Sequence, residues 1–138
     1  MSGTFRVVLQ TIKPGQFALS TMKLQRALKS YERTGLESFS VRRVGANLVL
    51  TDGHHRAIVA QLMGVEEVDV YLDSDNYDWD IWIRCVEVTC EHGVATLNDL
   101  IGRLVTHDEY ERTWCHCCDE VTQRVEAERA ESAEVDSK

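Results

Sequence analysis

The residues best suited to chemistry stand together at positions 52–56, with the sequence DGHHR. An apolar run ends just before them at Leu50, and an apolar run with helical spacing begins just after them at Ala57. This pattern predicts a strand, a glycine turn and then a helix. The first turn of a helix presents unpaired backbone N–H groups and a partial positive charge, which together bind anions such as phosphate. We therefore expect an anion site at this turn.

Each side chain of this segment suits a role at a phosphate group. Gly53 allows the backbone to approach closely, and Arg56 offers a fork of donors that matches phosphate oxygens. His54 and His55 can donate hydrogen bonds or transfer protons near neutral pH. Asp52 can serve as a general base or hold Mg²⁺, although capping the helix is an equally good account of it. The predicted catalytic residues are therefore Asp52, His54 and His55.

Charge is distributed unevenly along the chain, which has a net charge of −8. Nine basic and only three acidic residues occur up to Arg56, a net charge of +6, so the remainder carries −14. Lys13, Arg42 and Arg43 lie in the basic half; we expect Lys13 to help bind phosphate, although a surface role is the simpler account of each. A basic region this small favours a small anionic ligand, because the acidic half would repel a long nucleic acid.

The chain has 138 residues, of which 43% are hydrophobic, so we expect a packed globule. No window is long and apolar enough for a membrane helix, and the first residues, from Met1 and Ser2 onwards, lack the apolar core of a secretory signal. These patterns predict a cytoplasmic protein without a membrane partner. The five cysteines are then expected to be reduced thiols.

Apolar periodicity and turn residues predict a mixed α/β arrangement. Strands are expected at 5–12, 39–44, 47–50 and 68–72. A first helix is expected with Ser20 or Thr21 as its cap and Thr34-Gly35 as its end, and further helices from the turn to Met63, from Asp78 and from Thr96. A strand remains open for 81–89. Another helix is expected from His107 through Cys118, and the residues from Asp119 onwards are either a frayed helix or disordered. We thus expect a core at 1–75, a helical extension at 76–118 packed on it through tryptophans, and an acidic tail at 119–138.

The first half of this arrangement resembles the ParB/sulfiredoxin superfamily. The resemblance rests on Ile-Lys-Pro at 12–14, the helix at 24–31, LTDGHHRA at 50–57, and Gly64 followed by Val-Asp-Val at 68–70. It covers about half of the chain. It implies an α/β (α+β) fold with a ParB/sulfiredoxin-like mixed-sheet core, here followed by a C-terminal helical extension.

Three chemistries within the superfamily differ at the turn. ParB proper binds CTP with a G-E-R-R turn and carries a helix-turn-helix domain, which has no basic counterpart here. Sulfiredoxin uses the cysteine of a G-C-H-R turn, and His54 stands at that cysteine position. The free serine kinases carry D-G-H-H-R itself, as at 52–56. Those kinases have a catalytic glutamate shortly after the Lys-Pro of the first strand, and here Gln16 lies near that place, where it cannot act as a general base.

The resemblance therefore implies a nucleotide-binding protein that transfers or hydrolyses a phosphoryl group with Mg²⁺ and ATP or ADP, with another nucleotide as the alternative. A small hydroxylated molecule such as a free amino acid is the expected acceptor. The alternative is a non-catalytic module that senses a nucleotide and contacts a protein partner, or a second copy of itself, through the extension. DNA binding or nuclease activity is the least favoured interpretation, because the second half is acidic.

The cysteines form a second group of residues that could do chemistry. Cys115 and Cys118 have C-x₂-C spacing, Cys85 and Cys90 have C-x₄-C spacing, and histidines lie nearby. Both spacings occur in structural zinc sites, but neither pair stands in a glycine-rich knuckle. Buried reduced cysteines in the extension are the better account, with metal or redox function as the alternative.

Overall fold

The structure, a computed structural model, describes residues 3–136. Six strands lie at β1 Phe5–Val8, β2 Leu19–Ser20, β3 Phe39–Val44, β4 Asn47–Leu50, β5 Glu67–Leu72 and β6 Leu104–Val105. Six α-helices lie at α1 Thr21–Thr34, α2 His54–Leu62, α3 Trp79–Glu91, α4 Leu97–Ile101, α5 His107–Tyr110 and α6 His116–Asp136. A π-helical turn, Glu111–Cys115, joins α5 to α6 without a break.

The main sheet has the strand order β1-β5-β3-β4 and mixes both kinds of pairing. β3 is antiparallel to β4 and parallel to β5, and β1 is antiparallel to β5. Val41 of β3 pairs with Leu50 of β4 on one side and with Leu72 of β5 on the other. The ends of β4 and β5 therefore lie close together, although α2 separates them in sequence. The predicted fold class, a mixed-sheet α+β core with a C-terminal helical extension, is confirmed.

A second, two-stranded sheet ties the extension to the core. Leu19 of β2 pairs in parallel with Leu104 of β6, and Ser20 pairs with Val105. Tyr110, Leu97 and Leu100 of the extension are buried in the same apolar cluster as the strands of the main sheet. The division into a core at 1–75, an extension at 76–118 and a tail at 119–138 stays a prediction.

The first strand is shorter than expected. The predicted strand at 5–12 ends at Val8, and a 3₁₀ turn, Leu9–Thr11, follows. Leu9 and Ile12 are both fully buried. Side chains three residues apart lie on one side of a 3₁₀ turn, whereas in a strand they would point to opposite faces. The turn thus allows both residues to pack in the core, and the prediction of a strand as far as Ile12 was wrong.

The extension is helical throughout its longer segments. The Asp78 carboxylate accepts the N–H of Ile81 and caps α3, so the strand considered for 81–89 was wrong. Thr96 and Asp99 form a reciprocal capping box at the start of α4. From Asp119 onwards the chain continues as helix α6 to Asp136, with Val121 and Val125 buried against α3.

The last two residues of the predicted tail, and the first two residues on which the signal-peptide prediction partly rests, lie outside the described residues. Within the part that the structure describes, no helix combines the length and the apolar character needed to cross a bilayer.

Candidate functional site

The DGHHR segment forms a turn at Asp52 and Gly53 and then the first three residues of α2, as the sequence predicts. Gly53 is the N-cap residue and has a φ of 77°, a left-handed conformation that favours glycine. The N–H of Ala57 donates to Gly53 O at 2.9 Å and is the first to make the helical hydrogen bond. The N–H groups of His54, His55 and Arg56 therefore precede the intrahelical ladder, which is the arrangement that binds anions. Asp52 is exposed, and its Oδ1 accepts the Gly53 N–H at 2.8 Å.

The guanidinium of Arg56 lies directly against Gly53. A Cβ atom at Gly53 would come within 2.6 Å of Arg56 Nη2, so a side chain there would displace the guanidinium from its present position. Arg56 Cζ lies 4.9 Å from the ring centroid of Phe39, a cation–π contact. Its Nη1 is buried and has no hydrogen-bond partner among the described residues. A buried cationic donor without a partner is costly, and an anion near the turn would relieve that cost.

His54 is a buried residue that holds the segment before α1. Its Nε2 accepts the backbone N–H of Gly15 at 2.8 Å, across a long separation in sequence. Burial, and then the neighbouring His55, lower the pKa of His54 to about 3. The ring is therefore neutral near pH 7, and because Nε2 accepts, its proton is assigned to Nδ1.

His55, the next residue, also accepts a backbone N–H from the segment before α1. Its Nε2 accepts the backbone N–H of Ser20 at 2.9 Å. Burial, followed by Lys23 and His107, lowers the pKa of His55 to about 4. In both rings Nε2 accepts a backbone N–H, and these two hydrogen bonds hold residues 15–20 against the start of α2. Only the Nδ1–H group of each ring therefore remains to donate a hydrogen bond to a ligand. The assignment of Asp52, His54 and His55 as catalytic residues stays a prediction.

Lys13 and Gln16 lie in the segment that the two histidines hold. The Lys13 N–H donates to Leu48 O at 2.8 Å and its carbonyl accepts the Leu50 N–H at 2.9 Å, so the backbone of Lys13 lies beside β4. Its side chain is half-buried. Gln16 is buried; its Nε2 donates to Ala18 O at 2.9 Å and lies 3.4 Å from Tyr110 Oη. These contacts turn Gln16 towards the extension.

A cavity of about 600 Å³ opens beside the turn. Its polar lining includes Thr51, Asp52 and Asp78, and its aromatic wall comes from Tyr77, Trp79 and Trp82. The Trp79 ring packs edge-on against both of the other aromatic rings, with centroid distances of 5.5 Å and 5.4 Å. The cavity thus combines a carboxylate at the turn with a broad aromatic surface.

The sheet topology explains why these residues meet. Thr51 follows β4 and Asp73 follows β5, and Thr51 Oγ1 lies 2.7 Å from Asp73 Oδ2. Tyr77 and Trp79 come a few residues after Asp73, so the chain leaving β5 passes the turn. Arg42 Cζ lies 3.9 Å from the Trp79 ring centroid, so this arginine, considered above for phosphate, stacks on the aromatic wall.

Two groups were not predicted as site residues. One is the aromatic wall; its signal is the cluster of aromatic residues directly after β5. The other is a chain of polar contacts at the junction of core and extension. Ser20 Oγ lies 2.9 Å from His107 Nδ1, and His107 Nε2 lies 2.7 Å from Glu111 Oε1. Ser20 also caps α1 by accepting the Lys23 N–H, which accounts for its burial.

The five cysteines are free thiols, and they differ in exposure. Cys85 is buried, Cys90 is exposed, and Cys115, Cys117 and Cys118 are half-buried. The expectation of buried cysteines therefore holds for Cys85 and is wrong for Cys90. Among residues 3–136, no group of three or more histidine, cysteine, aspartate or glutamate side chains is placed to hold a metal ion.

No family model and no curated protein matches this chain. Solved structures with a similar fold include protein Atu1540 from Agrobacterium tumefaciens, with a TM-score of 0.46, 19% identity and coverage of 68% of this chain and 50% of that one. A second is the C-terminally truncated chromosome-partitioning protein ParB from Caulobacter crescentus complexed with CTP-γ-S, with a TM-score of 0.44, 15% identity and coverage of 67% and 53%.

A third is a Pnob8-like ParB-N domain, with a TM-score of 0.45, 18% identity and coverage of 67% of this chain and 37% of that one. The chain therefore spans about half of the first two proteins and less of the third.

Proposed function

We propose that this protein binds a nucleotide, with the phosphates at the start of α2 and the base in the adjoining cavity. The observation that carries the proposal is that Asp52 belongs to both places: it precedes the N-cap residue Gly53, and it lines the cavity. The cavity volume of about 600 Å³ lies within the range of roughly 300–1,000 Å³ that is usual for small-molecule sites.

The chemistry of the lining fits the two ends of a nucleotide. The backbone N–H groups at the start of α2 and the unpaired Nη1 of Arg56 suit phosphate oxygens. The aromatic surface formed by Tyr77, Trp79 and Trp82 suits a heterocyclic base, because aromatic stacking accepts any base. Lys13, beside β4, is a further candidate for the phosphates.

The same lining is also acidic, which bears on Mg²⁺. Asp78 is paired with Arg129, but the exposed Asp52 would repel a bare polyphosphate, whereas Mg²⁺ is commonly held by one or two carboxylates together with phosphate oxygens. ATP or ADP bound with Mg²⁺ therefore fits this site better than the nucleotide alone. Asp52 is the carboxylate best placed to face the ion, because it is exposed at the turn.

Two observations point to different outcomes after binding. Gln16 is held by Ala18 and Tyr110 and offers no base, which favours a non-catalytic nucleotide-sensing module. Asp52 is an exposed carboxylate on the cavity lining, which favours phosphoryl transfer to a small hydroxylated acceptor with Asp52 as the base. Both the nucleotide-sensing module and the phosphoryl-transfer enzyme require nucleotide binding, so nucleotide binding is the part of the proposal to test first.

Calorimetry on the full chain tests binding with ATP, ADP, CTP and GTP, each with and without Mg²⁺. The decisive variant is Gly53→Ala, with Gly64→Ala as its matched control. Both glycines have φ near 78°, but a Cβ at Gly64 meets nothing within 4 Å, whereas at Gly53 it displaces Arg56. We expect Gly53→Ala to weaken binding about tenfold or more, equivalent to about 1.4 kcal/mol, and Gly64→Ala to leave affinity nearly unchanged. Equal affinities in the two variants would contradict a phosphate site at this turn.

Phosphorus NMR with Mg²⁺, ATP and a panel of amino acids separates the two outcomes. Phosphoryl transfer that Asp52→Asn reduces far more than it weakens nucleotide binding would support the kinase-like function. Tight binding without turnover in the unmodified protein would leave the nucleotide-sensing module.

A further inference from the structure

Two thiols from different helices meet at the wall of the cavity. Cys85 of α3 and Cys118 of α6 both belong to its lining. They also lie in the apolar cluster that joins these helices, together with Val121 and Val125. Cys85 is only 7% exposed, and it lines the cavity, so a small molecule can reach it from there.

The two thiols interact with each other. This interaction lowers the pKa of Cys85 and raises the pKa of Cys118, which keeps its proton beside the Cys85 sulfur. Burial raises the pKa of Cys115 and of Cys117. The thiolate is thus more favoured at Cys85 than at the three cysteines around the start of α6, and a protonated partner thiol is adjacent.

We propose that Cys85 and Cys118 are a redox-active dithiol, which a small peroxide converts into a disulfide that joins α3 to α6 at the cavity wall. Cys85 is the attacking thiol and Cys118 the resolving thiol. Neither the DGHHR turn nor the nucleotide is needed for this reaction, so the inference is independent of the proposed function.

The reaction balances with hydrogen peroxide as the oxidant. The Cys85 thiolate attacks one peroxide oxygen, the O–O bond breaks, and the departing hydroxide takes up a proton, leaving a sulfenic acid and water. The Cys118 sulfur then attacks the Cys85 sulfur, the S–O bond breaks, and a second water leaves with the thiol proton. Overall, two thiols lose two electrons and two protons, and one peroxide becomes two waters.

The disulfide would act on the part of the molecule that forms the aromatic wall. Trp79 and Trp82 belong to α3, and a covalent link to α6 would fix that helix against its neighbour. Such a link also restricts the unfolded chain, so the oxidised protein is expected to melt at a higher temperature. Oxidation would therefore stiffen the cavity wall.

The test treats the full chain with hydrogen peroxide and follows intact mass, peptide mapping and thermal melting. We expect a mass loss of about 2 Da, from the two departing hydrogens, a Cys85–Cys118 cross-link and a raised melting temperature. Cys90→Ser is the matched control, because Cys90 is an exposed cysteine of the same helix, and it should behave as the unmodified protein. Cys118→Ser should stop at a sulfenic acid on Cys85, which a dimedone-type reagent traps.

Cross-linking through Cys90, Cys115 or Cys117 in place of this pair would overturn the proposal. So would oxidation of exposed Cys90 with no disulfide between Cys85 and Cys118. Should Cys118→Ser fold poorly, Cys85→Ala provides the same test, because it should lose both the cross-link and the sulfenic acid. A nucleotide that occupies the cavity should slow formation of the cross-link when it is added before the peroxide. A cross-link that forms at an unchanged rate would count against the nucleotide site, but it would not count against the redox-active dithiol.

Discussion

The imidazole of His54 accepts the backbone N–H of Gly15 at 2.8 Å, and both residues are buried. This contact joins the first turn of α2 to the segment that leads into α1. His54, which belongs to the candidate catalytic motif, therefore has a structural role. The hydrogen bond to Gly15 holds the turn in place, and it requires a neutral ring, because a protonated Nε2 could not accept the N–H.

Replacing His54 is expected to reduce stability. His54→Leu would leave the buried N–H of Gly15 without an acceptor, at a cost of roughly 1–3 kcal/mol in the free energy of unfolding. His54→Gln should lose less, because its Oε1 can accept the same N–H. His116→Leu serves as the exposed control and should change stability by about 0.5 kcal/mol or less. Urea denaturation measures all three, and equal losses for His54→Leu and His116→Leu would refute the structural role.

Stability should also fall as the solution is acidified below pH 6.5. The pKa values of His54 and His55 are lowered from 6.5 to about 3 and about 4, so the unfolded chain binds protons that the folded chain does not. Above pH 6.5 neither state is protonated and no stability is lost. Between pH 6.5 and about 4, each histidine removes up to about 1.4 kcal/mol per pH unit.

Urea titrations at a series of pH values check this dependence. His54→Gln should show a shallower decline than the unmodified protein, because one buried imidazole is gone, while His116→Gln should keep the full slope. A free energy of unfolding that stays constant between pH 6.5 and 4.5 would show that the rings titrate normally.

Restoring a glutamate at position 16 should not create a kinase. Gln16→Glu would lose the amide donor to Ala18 O and bury a carboxyl group, which should cost roughly 1–3 kcal/mol. Gln123→Glu, at an exposed position of α6, is the control and should be nearly neutral. Phosphorus NMR measures ATP turnover by the two variants, and urea denaturation measures their free energies of unfolding. New ATP turnover without loss of stability would show that residue 16 faces the ligand.

Local patterns predicted the turn and most elements, because the relevant forces act between near neighbours. Gly53 before an apolar helical run, the cap of α1, which is Ser20 of the two candidates, and the Asp78 cap of α3 all depend on residues a few positions apart. The 3₁₀ turn after β1 was missed because the choice between it and a strand depends on where the core lies, as the full burial of Leu9 and Ile12 shows.

The environment of the site could not be predicted in the same way. The hydrogen bonds from Gly15 to His54 and from Ser20 to His55, and the pairing of β2 with β6, join distant parts of the chain. The aromatic residues after β5 reach the turn only because β3 pairs with both β4 and β5. A pattern of residue types shows which groups are present, whereas the sheet order decides which of them meet.

Backbone and indole NMR shifts on addition of ATP and Mg²⁺ would show where a nucleotide binds on the protein. We predict saturable shifts of the amide signals of Gly53, His54, His55 and Arg56, and of the indole N–H signals of Trp79 and Trp82. The indole of Trp114, which packs against Phe17 and does not line this cavity, should shift least. Saturable shifts that leave the start of α2 and the two cavity indoles unchanged, or no shifts at all with any nucleotide, would contradict a nucleotide site at the DGHHR turn.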